Sequence, residues 1–257
     1  MRRTVDVDAT ILSSRVIARG TTELALAVPR NAAPRPGQFL HIRAPGEFLR
    51  RPISASGYDE ETGAARIIVR DAGRGSRAIS GLGAGDRVRL LTPLGRGFPM
   101  ESIIRDIASG KKIWLAGGGI GAAPLLFAAS SVRAADLAID SFVGFRDEES
   151  VIGVRELGEC GSVSVSVGGL VTDAMTRAME SAVPDSILAC GPVPMLRAIQ
   201  KICAGRGIRG FMSVEERMGC GVGACLVCVC RTGTGDGWEH RRVCRDGPVF
   251  GISEVAL

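Results

Sequence analysis

One cysteine spacing constrains this 257-residue chain more than any other feature. The stretch "MGCGVGACLVCVC", Met218 to Cys230, holds four of the eight cysteines, and Cys244 lies beyond a gap of fifteen residues after Cys228. The N-terminal "MRRTVDVDATILSS" carries Arg2 and Arg3 but then Asp6 and Asp8, with no apolar run of the kind that directs export. A reducing, cytoplasmic setting is therefore expected. There, clustered cysteines bind metal or carry redox chemistry more readily than they form structural disulfides.

Cys220-x4-Cys225-x2-Cys228 with a distant Cys244 is the ligand spacing of a plant-type [2Fe–2S] cluster. Two irons need four thiolates, two on each; a short loop wraps one side and a remote thiolate closes the other. Gly221 and Gly223 leave room for backbone N–H groups to turn toward the sulfurs, which tunes the reduction potential. The same four thiolates also suit a tetrahedral zinc ion. Structural zinc usually takes two short knuckles, however, and Cys220 and Cys244 do not form a second one. Cys230 is expected to be a buried structural thiol, and Cys160 and Cys203 to be packing residues.

The rest of the chain divides by periodicity. Residues 1–101 read as all-β, with short runs such as "ATILSSRVI", "TELALAV", "GQFLHIRA", "RIIVRD" and "DRVRLLT" punctuated by Gly, Pro and Asp, which suits an antiparallel β-barrel. Over 102–210 the strands "KKIWLAGG", "LAIDSFVGF", "SVSVSVGG" and "DSILACGP" alternate with helices. Those helices are "AAPLLFAASSV", "TDAMTRAMESA" capped by Thr172, and "PMLRAIQKICAG" from Pro194 to near Gly205. This order predicts a doubly wound parallel sheet. Residues 211–257 form a small cysteine-bearing domain that a metal centre would help to stabilise. The uncharged run Ile113 to Val132 is as long as a membrane span, but its glycines and Pro124 make it a buried strand, a turn and a helix.

Two sets of motifs suggest cofactors. In "LAGGGIGAAP", Gly117, Gly119 and Ala122 satisfy G-x-G-x-x-A between a strand and a helix, where backbone can approach a pyrophosphate. Asp136, Asp140 and Asp147 are each imperfectly spaced for a ribose contact. "CGPVPM" follows a second strand, so Cys190 either lines a ligand site or packs. In the barrel half, "RRPIS" (Arg50 to Ser54) and "RDAGRGS" (Arg70 to Ser76) offer arginines for phosphates and a hydroxyl for a flavin edge. Each of these motifs is also compatible with a purely structural role.

The order R-P-I-S, G-G-G-I-G-A-A-P, C-G-P, then C-x4-C-x2-C…C resembles the ferredoxin–NAD(P)H reductase superfamily. Within it the chain most resembles the electron-transfer subunits of NAD-dependent (class 1B) dihydroorotate dehydrogenases, through "EERMGCGVGACLVCVC" and "RVCRDGPVF". The resemblance spans nearly the whole chain. It implies FAD held by Arg51, Pro52, Ile53 and Ser54, then Ile68, Val69 and Arg70, then Gly75 and Ser76. It implies NAD(H) bordered by Gly117, Gly118, Gly119 and Gly121 and by Cys190, Gly191 and Pro192. It implies a [2Fe–2S] cluster on Cys220, Cys225, Cys228 and Cys244. Broader members of the superfamily carry Tyr where Ile53 stands, so the flavin here would be held by aliphatic packing. The resemblance further implies an FMN-containing catalytic partner, two of each subunit in a heterotetramer, and a place in pyrimidine biosynthesis.

Nicotinamide exchanges hydride, a cluster passes single electrons, and a flavin does both, so FAD is expected between the other two. Electrons from dihydroorotate, oxidised on the partner's FMN, would enter at the cluster and leave on NAD+, and this chain would not itself oxidise dihydroorotate. Two other readings remain: a subunit of another FAD/[2Fe–2S] reductase serving ferredoxin, sulfide or hydrogenase chemistry, and a zinc-stapled binding module. The charge of +5 is scattered and the aromatics are not interleaved with basic residues, which argues against nucleic-acid binding. No Ser-His-Asp set or carboxylate pair calls for acid–base catalysis. His41 in "FLHIR" is either structural or a flavin contact, His240 a solvated loop residue, and Glu215 and Glu216 surface or helix-end charges.

Overall fold

The computed structural model describes residues 4–233 and 237–257, so Arg2 and Arg3, used above in reading the N-terminus, lie outside it. Six strands close a barrel in the order β1-β2-β5-β4-β3-β6. They are β1 (Val5–Ala18), β2 (Thr21–Ala27), β3 (Phe39–Arg43), β4 (Arg50–Asp59), β5 (Ala64–Arg70) and β6 (Arg87–Leu94), with the short helix α1 (Arg74–Ser80) after β5. Every pairing is antiparallel. Closure leaves no sheet edge, and alternation fills the interior. On β3, Leu40 and Ile42 join Leu24, Leu26, Ile67 and Leu90 inside the barrel. Phe39 and His41 therefore point outward.

Helix α2 (Met100–Ala108) leads into the second unit and was not anticipated from the sequence. Ile103, Ile104 and Ile107 lie on one of its faces and pack on the core that follows. The elements then alternate: β7 (Ile113–Gly118), α3 (Ala122–Arg133), β8 (Asp140–Phe145), α4 (Val154–Gly158), β9 (Val163–Val167), α5 (Val171–Ala178), β10 (Ser186–Cys190), α6 (Val193–Arg206) and β11 (Arg209–Ser213). β9, β8, β7, β10 and β11 are parallel, in that spatial order. β7 is buried at every position, as a central strand covered on both faces must be. β9 is the edge strand, so Val165 and Val167 of its alternating run are exposed.

Two helix starts differ from the sequence reading. α5 begins at Val171 with Leu170 at the N-cap, and the carbonyl of Thr172 accepts the Thr176 hydroxyl within the helix. Burying Val171 and Met175 sets that register. α6 begins at Val193, one residue before Pro194, and ends against Gly207, whose φ of +67° gives a left-handed C-cap.

The C-terminal segment adds β12 (Val229–Thr232), β13 (Glu239–Arg242), β14 (Val249–Gly251) and β15 (Val255–Ala256). β13-β12-β15 make a small sheet, while β14 joins the large sheet antiparallel to β11, with Ser213 opposite Val249 and Phe211 opposite Gly251. One face of the large sheet buries Trp114, Phe142, Met175 and Leu196 together with Cys228, Cys230 and Cys244. The cysteine segment is thus packed onto the sheet. Among the described residues no helix is long and apolar enough to cross a membrane.

Candidate cofactor and metal centre

A cavity of about 460 Å³ opens between the barrel, the glycine turn after β7 and the chain leaving β11. Arg51, Pro52, Ile53 and Ser54 of β4, Ile68 and Arg70 of β5, and Gly75 and Ser76 of α1 line it. Alternation brings Ile68 and Arg70 to the same side, and it turns Val69 into the barrel core, away from the cavity. Gly75 matters because a Cβ there would come within 2.5 Å of the Arg51 guanidinium carbon. Glu47 accepts from Arg51 Nη2 and pairs with Arg74 Nε, each at 3.1 Å. Ser76 Oγ accepts from the Ala72 N–H at 2.9 Å and donates to the Gly73 carbonyl at 3.0 Å, which fixes the loop. Apolar walls from Pro52, Ile53, Ile68, Ile120 and Pro124, with arginines close by, fit a flat ring system that carries phosphates.

Among the lining residues that sequence reasoning did not assign to this cavity are Phe39, Glu215 and Met218. Phe39 is an aromatic wall supplied by β3, outside the R-P-I-S motif. Glu215 lines the cavity while staying exposed, so it is a surface charge at the cavity's rim. Desolvation raises its carboxyl pKa, and the nearby Arg70 charge opposes that. Its place just past the carboxyl end of a parallel strand was the available signal.

The glycine run and the C-G-P turn meet at the ends of neighbouring strands, Gly117 opposite Cys190. A Cβ on Gly118 would lie 2.7 Å from Met195 Sδ and 2.8 Å from Pro192 Cδ, and one on Gly121 would lie 2.6 Å from the Cys190 carbonyl carbon. Gly117, Gly118, Gly121, Cys190, Gly191 and Pro192 therefore build the turn by close packing and line neither main cavity. Gly119, with φ of +53°, does border a second cavity of about 410 Å³, with Arg19, Arg70, Ile120 and Arg146. Arg70 and Ile120 belong to both cavities, so the two adjoin. The buried Cys190 thiol has a pKa raised by desolvation, with the Glu215 charge adding.

The cysteines fall into two pairs. Cys220 Sγ accepts N–H groups from Val222, Ala224 and Cys225 at 3.4, 3.3 and 3.4 Å, and Cys225 Sγ accepts the Cys220 N–H at 3.4 Å. Cys228 Sγ accepts the Cys244 N–H at 3.4 Å. Gly221 and Gly223, with φ of +72° and +86°, give the loop the curvature these contacts need. Burial opposes ionisation of Cys220, yet the N–H groups of Val222, Cys225 and Ala224 outweigh it and bring the thiol down to about 6. Burial and the Cys228 thiol push Cys244 up to about 12. Arg242 ties the turn that carries Cys244 to the cysteine loop: its Nη1 donates to the Gly223 carbonyl at 3.3 Å and its Nε to Asp246 at 3.0 Å. Two thiol pairs with N–H groups aimed at sulfur supply the donor chemistry of a two-iron cluster, while among the described residues no three of these side chains are gathered around one metal position.

His41 lies beneath this loop, wholly buried, with neither ring nitrogen in a hydrogen bond of good geometry. A Cβ on Gly221 would lie 3.0 Å from its Cε1. The nearest backbone partners of the ring are in Arg50 and Cys220. Burial, with the Arg50 charge adding, pushes the imidazole down to about 4, so it is neutral at pH 7.

Residues 215–256 match the family described as the iron–sulfur cluster binding domain of dihydroorotate dehydrogenase B, a stretch containing all four paired cysteines. The electron transfer subunit of dihydroorotate dehydrogenase B (NAD(+)) from Shouchella clausii is 37% identical over 260 residues, covering 96% of this chain and 97% of its own. That from Geobacillus thermodenitrificans is 38% identical over 259 residues, with the same coverage. The chain belongs to the family of dihydroorotate dehydrogenase B electron transfer subunits. Among solved structures, a chain from work on flavin-based electron bifurcation in the NADH-dependent reduced ferredoxin–NADP oxidoreductase superposes with a TM-score of 0.82 at 26% identity, covering 97% of this chain and 90% of that one. This chain thus shares its fold over nearly its whole length with that chain.

Proposed function

We infer that this chain is the electron-transfer subunit of an NAD-linked dihydroorotate dehydrogenase and carries FAD, a [2Fe–2S] cluster and an NAD(H) site. When bound, the cluster supplies single-electron transfer, and FAD supplies the exchange between single electrons and the hydride of nicotinamide. One observation carries the reading: the wall of the flavin cavity runs directly into the cluster loop, since Met218 lines the cavity and Cys220 opens the paired thiols two residues later.

In this reading Arg51, Arg70 and the Gly75–Ser76 turn hold the FAD phosphates and ring edge. Pro52, Ile53, Ser54 and Ile68 hold its body, with backbone alone contributing at Val69. Gly119 presents the second cavity to nicotinamide dinucleotide, and Gly117, Gly118, Gly121, Cys190, Gly191 and Pro192 shape its turn. Cys220 with Cys225, and Cys228 with Cys244, hold the cluster. The domains are 1–101 for FAD, 102–210 for NAD and 211–257 for the cluster, with α2 and β11 running across the two boundaries and β14 returning to the large sheet. The partner is an FMN-containing catalytic subunit, two of each per complex, in the cytoplasm. Dihydroorotate is oxidised there and not in this chain.

The test is Cys225→Ser in the assembled complex. Dihydroorotate-linked NAD+ reduction is expected to fall at least about tenfold more than NADH–dye activity. Full retention of both activities would remove the cluster from the route. The likeness to the ferredoxin–NADP oxidoreductase favours a second reading, a ferredoxin-linked subunit. Co-purification with a ferredoxin-dependent enzyme instead of an FMN subunit would select it.

A further inference from the structure

Between the flavin strand and the cluster loop the structure contains a side chain that no step above uses. His41 is on the outer face of β3, directly opposite Pro52 of β4, so its backbone belongs to the same sheet as the flavin-lining strand. Its neighbour on that outer face, Phe39, pairs with Ser54 and lines the flavin cavity. The His41 ring turns the other way, under Gly221, the residue immediately after the first paired cysteine. Arg50 at the start of β4 and Cys220 in the loop each bring backbone to the ring. The imidazole is wholly inaccessible to solvent, both nitrogens lack a well-formed partner, and Arg50 Nη1 beside it is also buried and unpaired.

An isolated buried imidazole is costly, and packing alone would be served by leucine. Gly221 leaves open the space that the ring occupies; with its φ of +72°, a side chain there would be both strained and in collision with the ring. The loop is therefore shaped to rest on His41. A neutral imidazole has one donor and one acceptor nitrogen, so a small approach of the Arg50 or Cys220 backbone would complete a hydrogen bond that the structure leaves loose.

We propose that His41 is a positioning residue that fixes the cluster-binding loop against the flavin strand and so sets the rate of electron exchange between the two centres. Electron transfer between bound centres falls steeply with their separation, so a small shift of the Cys220–Gly221 backbone is felt as a rate. The proposal rests on the cofactor reading above. That reading fails separately, and earlier, if the wild-type chain reconstituted with iron, sulfide and FAD retains no iron or no flavin.

The test uses the full chain loaded with FAD and cluster, with iron and flavin quantified. Stopped-flow absorbance follows flavin reduction by NADH and the subsequent cluster reduction, and EPR records the reduced cluster. In His41→Leu, cluster reduction is expected to slow about tenfold more than flavin reduction, with an altered EPR line shape. His41→Gln, whose carboxamide can still donate to a carbonyl, should recover most of that ratio. Should His41→Leu lose its iron, the ratio is read in Gly221→Ala, which keeps the imidazole and pushes the loop off it. Equal slowing of both reductions, an unchanged EPR signal in His41→Leu, or failure of His41→Gln to restore the ratio overturns the proposal. Loss of iron from all three variants alike also overturns it, by making His41 a folding element only.

Discussion

At Gly75, the absence of one carbon decides where Arg51 can lie. A methyl there would displace the guanidinium, whose charge-assisted bonds are each worth roughly 1.5–3 kcal/mol. Gly75→Ala is therefore expected to weaken FAD binding by about ten- to a hundredfold, read by flavin-fluorescence titration, with little loss of helix content. The thiols give a pH-dependent prediction. In iron-free protein at pH 7, Cys220, lowered to about 6, is mostly thiolate, whereas Cys203, pushed up to about 11 by burial, is almost wholly protonated. Mass spectrometry after brief iodoacetamide treatment should find Cys220 alkylated well before Cys203, the reaction slowing as pH falls through 6. Comparable labelling of the two would refute the N–H···S geometry as the cause.

At the level of elements, the cysteine segment is held by β14 on the large sheet, by the pairing of β12 with β15, by packing of Cys228, Cys230, Val243 and Cys244 on the sheet's face, and by the metal centre. Removing iron is expected to release only the last and to loosen the loop around it. Hydrogen exchange on chelator-treated protein should show protection lost across the cysteine loop while β7 and β10 stay protected. Concerted loss in all these elements would mean that the segment and the sheet fold as one unit. The sequence revealed most where the controlling interactions are local. Cysteine spacing, the strand–glycine–helix turn after β7 and the short β-runs of the barrel half each depend on near neighbours in the chain. It was silent where the partner is remote. β14 is three residues long and exists only because β11 offers it an edge. The start of α5 is set by burial of Val171, not by the hydroxyl of Thr172. His41 looks like an ordinary strand residue until the fold closes around it, and Glu215 like an ordinary surface charge until it meets the cavity wall.

At the scale of the whole molecule, paired charges join the barrel to the α/β unit. Arg19 pairs with Asp147 at 3.0 Å and with Glu149, and Arg66 with Glu156 at 2.6 Å. The cluster loop has Val222, Leu226 and Val227 exposed, and Leu226 holds a left-handed φ of +58° that bulky residues rarely adopt. An apolar side chain kept outside at a backbone cost suits a partner surface. Leu226→Asp, which relaxes the backbone while charging the tip, is expected to weaken association with the catalytic subunit by about tenfold or more, measured by titration with iron content checked in parallel. Unaltered affinity would move the contact elsewhere. The pairing of Ser213 with Val249 has a further consequence. The polypeptide leaves the large sheet after Ser213 and returns to it at Val249, so the excursion that carries the four cysteines begins and ends side by side, with β12 stitched to β15 beyond its end. Evolution, or an engineer, could exchange it together with β15 for another relay without rethreading the sheet.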